Sequence, residues 1–175
     1  MKTGRSYSCY LPALYTLFFF LLCLPSIAVS QDHQNLVVQT IDGDDLSLEE
    51  LVSKGPVLVN FWALWCEPCK IEMKQLQSIY DRYNEKGFSI LAINQDNQKS
   101  IGKVSSYISS QKYSFFVALD PDGEIAQQFN VQSIPLSLLF NSSGRIVYKA
   151  LGYKPGDEKK IEEELQKLFL VKNDD

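Results

Sequence analysis

The chain has 175 residues, of which 45% are hydrophobic, 22% charged and 12% aromatic, and its formal net charge is −4. An acidic balance with both signs interspersed argues against nucleic acid or an anionic membrane surface as partner. Length and apolar content suit one compact domain with its own core, and no internal repeat, low-complexity stretch or linker divides the chain.

Residues 1–30 read as a targeting segment. Lys2 and Arg5 form a basic start, and an apolar run follows from Tyr10 to Val29, densest around Leu17 to Leu24. Ala28-Val29-Ser30 puts small residues at the two positions a signal peptidase requires, which predicts cleavage before Gln31. The run is also nearly long enough to cross a bilayer as an uncleaved anchor over residues 10–29. Pro12 and Pro25 shorten its uninterrupted stretch and favour the cleaved signal. Either way residues 31–175 are expected to form an exported domain, periplasmic or otherwise extracytoplasmic, that meets the membrane only through such an anchor. Cys23 follows Leu22 rather than a small residue, so it is not read as a lipid-attachment cysteine, and neither it nor Cys9 is expected to take part in chemistry. Without Lys2 and Arg5 the formal charge falls from −4 to −6.

From there strand and helix patterns alternate. Leu36 to Ile41 predicts a short strand and Asp42-Gly43-Asp44 a turn. Ser47 caps a short helix, with Glu50 completing a capping box. Pro56 to Trp62 is a near-continuous apolar run, the pattern of a central strand covered on both faces. Met73, Leu76, Ile79, Tyr80 and Tyr83 recur at helical spacing up to Gly87. Phe88 to Ile93 predicts a second buried strand, Ile101 to Ile108 a helix, and Phe115 to Leu119 a third strand. A turn at Asp120-Pro121-Asp122-Gly123 leads into a short helix through Phe129. Pro135 to Phe140 and Arg145 to Leu151 predict an antiparallel hairpin around Asn141-Ser142-Ser143-Gly144, a stretch that also fits a glycosylation acceptor. Ile161, Leu165, Leu168 and Phe169 give the last helix its apolar stripe. This order predicts a mixed-sheet α/β domain.

Cys66 and Cys69 decide the chemistry. They lie two residues apart, after the central apolar run and at the start of a helical pattern, in Trp65-Cys66-Glu67-Pro68-Cys69-Lys70. Unpaired amides and the dipole at a helix start favour the thiolate of Cys66, and Cys69 one turn later can close a disulfide with it. A static disulfide and half of a zinc site are the plain alternatives. Zinc needs about four ligands, and the single histidine, His33, lies far upstream in a polar stretch. Pro68 suits the first helical turn, where its missing N–H costs little.

The element order and the Trp-Cys-Glu-Pro-Cys-Lys run together resemble the thioredoxin superfamily, and within it the exported TlpA/ResA-type thiol–disulfide oxidoreductases. The resemblance covers about Asn35 to Phe169. It implies a thioredoxin-like fold, with a central mixed sheet flanked by helices and the family's helical insertion around Ile101 to Ile108. It also implies a cis-proline loop at Ser133-Ile134-Pro135 facing the cysteines, and Gly152 as the glycine that the family's last strand usually carries. Cys66 would attack a partner's disulfide and Cys69 would resolve the mixed disulfide; Trp65, Ile134 and Pro135 would shape the docking surface. Asn60 falls where cytosolic thioredoxins carry a buried carboxylate, a role an amide cannot fill. Asp96 is read as the only nearby carboxylate that could replace it. Glu67, between the cysteines, should disfavour the Cys66 thiolate, whereas Lys70 and Glu72 read as solvated helix residues.

The expected activity is reduction of protein disulfides without cofactor or metal. Protein thiols and disulfides are the partners, a membrane thiol–disulfide donor recharges the pair, and cytochrome c maturation is one setting. A peroxiredoxin-like peroxidase needs a threonine shortly before the reactive cysteine, where Ala63 and Leu64 stand. Copper-delivery relatives space their cysteines one residue wider and add a histidine, and neither feature is present.

Overall fold

The structure is a computed structural model that describes residues 35–171. The predicted targeting segment, its cleavage site, Cys9, Cys23 and His33 lie outside the described residues. Among those described, no helix is long and apolar enough to cross a membrane.

Strands β1 (Val37–Gln39) and β2 (Asp45–Ser47) form a small antiparallel hairpin ahead of α1 (Leu48–Lys54). The sequence anticipates β1 but not β2, whose three residues include Asp45 and Ser47 and lack a strand-like composition. Ser47 caps α1 by accepting from the Glu50 amide at 3.0 Å. Glu50 directs its own carboxylate to Lys54 at 2.8 Å, so half of the predicted capping box forms.

Next come β3 (Val57–Trp62), α2 (Glu67–Tyr83), β4 (Ser89–Asn94), α3 (Ile101–Gln111) and β5 (Phe116–Leu119). The chain closes with α4 (Glu124–Gln128), β6 (Leu136–Phe140), β7 (Ile146–Leu151) and α5 (Glu158–Val171). The main sheet has the order β5-β4-β3-β6-β7, with β3, β4 and β5 parallel and β6 and β7 antiparallel to their neighbours. This is the mixed α/β architecture the sequence predicts.

β3 is central and wholly buried, which is why it reads as a near-continuous apolar run broken only by Asn60. Val57, Val59 and Phe61 pack on one side with Leu48, Leu51 and Val52 of α1 and with Phe129. Leu58 and Trp62 pack on the other with Met73, Leu76 and Ile79 of α2, Val104 and Ile108 of α3, and Ile161 and Leu165 of α5. Three layers result, and the redox helix α2 lies on the second side. Helix α2 stops at Tyr83, and a short 3-10 turn carries the chain to Gly87, whose φ of 96° suits glycine. Gly55 and Gly87 meet backbone to backbone, and a Cβ on Gly55 would lie 2.5 Å from the Gly87 carbonyl oxygen.

Candidate redox site

The site begins where β3 ends. The Cys66 amide donates to the Ala63 carbonyl at 3.1 Å, turning the chain sharply into α2. Cys66 takes the N-cap position with Pro68 in the first turn, and its Sγ accepts from the Cys69 amide at 3.3 Å. The two cysteines are joined as a disulfide with Cα atoms 5.3 Å apart. Cys66 is 5% exposed and Cys69 is fully buried, so a partner reaches Cys66 first. A sulfur at a helix N-terminus faces unpaired amides and the positive end of the dipole, which favours its thiolate once reduced.

The Ile134–Pro135 bond is cis, as the sequence predicts. Ile134 packs against the cluster that holds Cys66 and Cys69. The Pro135 carbonyl accepts from the Gly152 amide at 2.8 Å, tying the loop to the end of β7. Trp65 is 69% exposed and, with Gln95, Val131, Gln132, Ser133 and Ile134, lines an open groove of about 410 Å³. Glu67 is exposed and ion-paired with Lys70, so the charge expected to oppose the Cys66 thiolate is shared with a cation.

Asp96 has a different place from the one read for it. Its Oδ2 accepts from the Leu64 amide at 2.7 Å and from Asn94 Nδ2 at 2.9 Å, and its own amide donates to Asn94 Oδ1 at 3.0 Å. It anchors the loop that delivers Cys66.

Glu72 corrects the sequence reading further: it is not a solvated helix residue. Its side chain is buried at 1% exposure, on the same face of α2 as Cys69 and one turn beyond it. Oε2 accepts from Asn60 Nδ2 at 3.0 Å and Oε1 from Ser137 Oγ at 2.9 Å. Asn60 Nδ2 also donates to Ser137 Oγ at 2.9 Å. Asn60 of β3 and Ser137 of β6 are direct cross-strand partners, which aims both at the helix. The Glu72 carboxyl stands raised from the ordinary 4.5 to about 7: burial pushes it up most, Asp157 adds a lesser upward push, and the Ser137 and Asn60 hydrogen bonds offset part of the rise. A carboxyl that exchanges its proton near neutrality, one helical turn from the buried thiol, can serve it as a base. The buried carboxylate that Asn60 does not supply is supplied from the helix instead.

The Redoxin family pattern matches residues 27–165. The thiol-disulfide oxidoreductase ResA of Bacillus thuringiensis subsp. konkukian is 31% identical over 140 residues, 80% of this chain and 78% of that protein. Sporulation thiol-disulfide oxidoreductase A of Bacillus subtilis is 31% identical over 79% of this chain and 89% of its own length. Among solved structures, StoA from Bacillus subtilis superposes with a TM-score of 0.62 at 29% identity, covering 73% of this chain and 95% of that one. A thiol:disulfide interchange protein of the thioredoxin family from Chlorobium tepidum gives 0.64 at 25% identity, covering 74% and 92%. With a disulfide at the mouth of a helix, a cis-proline loop beside it and these relatives, the chain belongs to the Redoxin family, among its ResA-type thiol-disulfide oxidoreductases.

Proposed function

We propose that this protein is an exported reductase of protein disulfides, with Cys66 as nucleophile and Cys69 as resolving thiol. The observation that carries the reading is the unequal placement of the two sulfurs: Cys66 caps α2 with some exposure and Cys69 is sealed behind it. In the reduced protein the Cys66 thiolate attacks one sulfur of a partner's disulfide, forming a mixed disulfide and releasing the partner's other sulfur as a thiolate. Glu72 then takes the Cys69 proton. The Cys69 thiolate attacks Cys66 Sγ, closing the intramolecular bond and expelling the partner's second thiolate. Two electrons pass to the partner, and the pair must be reduced again by an external dithiol.

Trp65, Ile134 and Pro135 form the docking surface beside the pair, and the groove that Trp65 and Ile134 line with Gln95, Val131, Gln132 and Ser133 receives the chain flanking the target cysteine. Residues 1–30 direct the domain out of the cytoplasm, as a cleaved signal or an anchor, and a membrane thiol–disulfide donor supplies the reducing equivalents. Cytochrome c maturation, which the resemblance to ResA-type proteins implies, is the setting we infer. Two assays test the reading: insulin reduction by the dithiol protein, and trapping of partners by Cys69→Ser. Stable mixed disulfides should accumulate on Cys66 in that variant. Failure of the wild type to reduce insulin, with no adducts trapped from its own compartment, would refute it.

A further inference from the structure

Three polar side chains, each essentially sealed from solvent, meet beneath the redox helix: Asn60 from β3, Ser137 from β6 and Glu72 from α2. The two carboxylate oxygens of Glu72 are held by different donors, one from each strand, at 3.0 and 2.9 Å. Asn60 is set in an otherwise apolar strand, and its Oδ1 is buried without a hydrogen-bond partner. An orphaned buried acceptor is costly. Here it completes a set: rotating the amide about its last side-chain torsion would exchange Nδ2 for Oδ1 opposite Glu72 Oε2. With Glu72 ionised, Nδ2 donates to the carboxylate. With Glu72 protonated, its O–H donates to Oδ1. The Ser137 hydroxyl donates to Oε1 in either state. A leucine at position 60 could serve neither state, and an aspartate would set a second carboxylate against the first.

We propose that Asn60 and Ser137 are positioning residues, a clamp that holds Glu72 in both of its protonation states and so sets the pH at which it can accept the Cys69 proton. This deepens the exchange mechanism proposed above and rests on it. The other titratable groups facing Glu72 are Asp157 ahead of α5, Tyr148 on β7 and Tyr153 just after β7. The carboxylate takes its hydrogen bonds from Asn60 and Ser137 and not from these three, so the clamp is the contact that can follow its proton.

The oxidised protein is suited to the test, because neither cysteine titrates while the disulfide is closed. Carboxyl-carbon NMR follows the Glu72 titration, and side-chain amide NMR follows Asn60 in the same wild-type samples. The Asn60 amide resonances should move with the same midpoint as the Glu72 carboxyl. Ser137→Ala, which removes a donor to the charged form, should raise that midpoint by about one pH unit or more. In stopped-flow measurements, the pH at which the resolving step reaches half its maximum should rise with it. Asn60 resonances indifferent to the Glu72 titration, or a midpoint unmoved in Ser137→Ala, would overturn the clamp. A wild-type protein with the coupled titration but no insulin reduction would support the clamp and sink the exchange reading instead.

Discussion

Replacing Glu72 with glutamine should stabilise the protein in alkaline solution while impairing it as a catalyst. In the unfolded chain this carboxyl ionises near the ordinary 4.5, whereas burial in the fold raises it to about 7. Between those values the folded state holds a proton that the unfolded state has released, so wild-type stability falls as pH rises through that window. The interval from 4.5 to about 7 corresponds to about 3 kcal/mol at about 1.36 kcal/mol per pH unit. Glutamine carries no charge to desolvate. Its amide oxygen can accept from Ser137, and its NH2 can donate to the orphaned Asn60 Oδ1 once that amide rotates. Glu72→Gln should therefore match the wild type near pH 4 and exceed it by up to about 3 kcal/mol above about pH 8, roughly 10 °C in melting temperature. Urea unfolding of both oxidised proteins across this range measures the gap directly, since titrations common to both cancel in the difference. A gap that stays constant with pH would show that Glu72 does not titrate differently in the fold, and its role as a base would fall with it.

Limiting iodoacetamide on the reduced protein should label Cys66 far ahead of Cys69, because only Cys66 combines exposure with the helix N-terminus; peptide mapping gives the ratio. Trp65→Ala should slow insulin reduction while leaving the urea midpoint almost unchanged, since the ring stands mostly in solvent. Asp96→Ala strips the acceptor from the Leu64 amide and should cost about 1–3 kcal/mol of stability in denaturant titration.

What the sequence disclosed follows the range of the interactions involved. The cysteines, Pro68 and the apolar strand β3 are local signals, and the mixed α/β order follows from strand and helix periods. Glu72 was obscured by its type, since a carboxylate on an amphipathic helix is ordinarily solvated. Its position carried the missing signal: Cys69, Glu72, Leu76, Ile79 and Tyr83 follow one another at three- and four-residue steps, so Glu72 lies within the buried stripe. Asn60 carried another, because a polar residue in a strand buried on both faces must find a polar partner. Neither signal identifies Ser137, whose part depends on the β3–β6 register and so on long-range folding. The sequence shows only that Asp96 is near the cysteines; the turn after β4 shows that its carboxylate is committed to the Leu64 amide.

The placement of the aromatic residues around Cys66 also gives the protein an optical property. The chain has two tryptophans, and both lie within four residues of that sulfur. Trp62 is sealed in the cluster that contains both cysteines, while Trp65 stands in water at the mouth of the site. Disulfides quench indole emission at short range, so opening the Cys66–Cys69 bond should brighten a blue-shifted component from Trp62 and a red-shifted one from Trp65. A partner docked on the proposed surface would cover only Trp65. The colour of the emission thus distinguishes an occupied site from a reduced one, and turnover can be followed without any label.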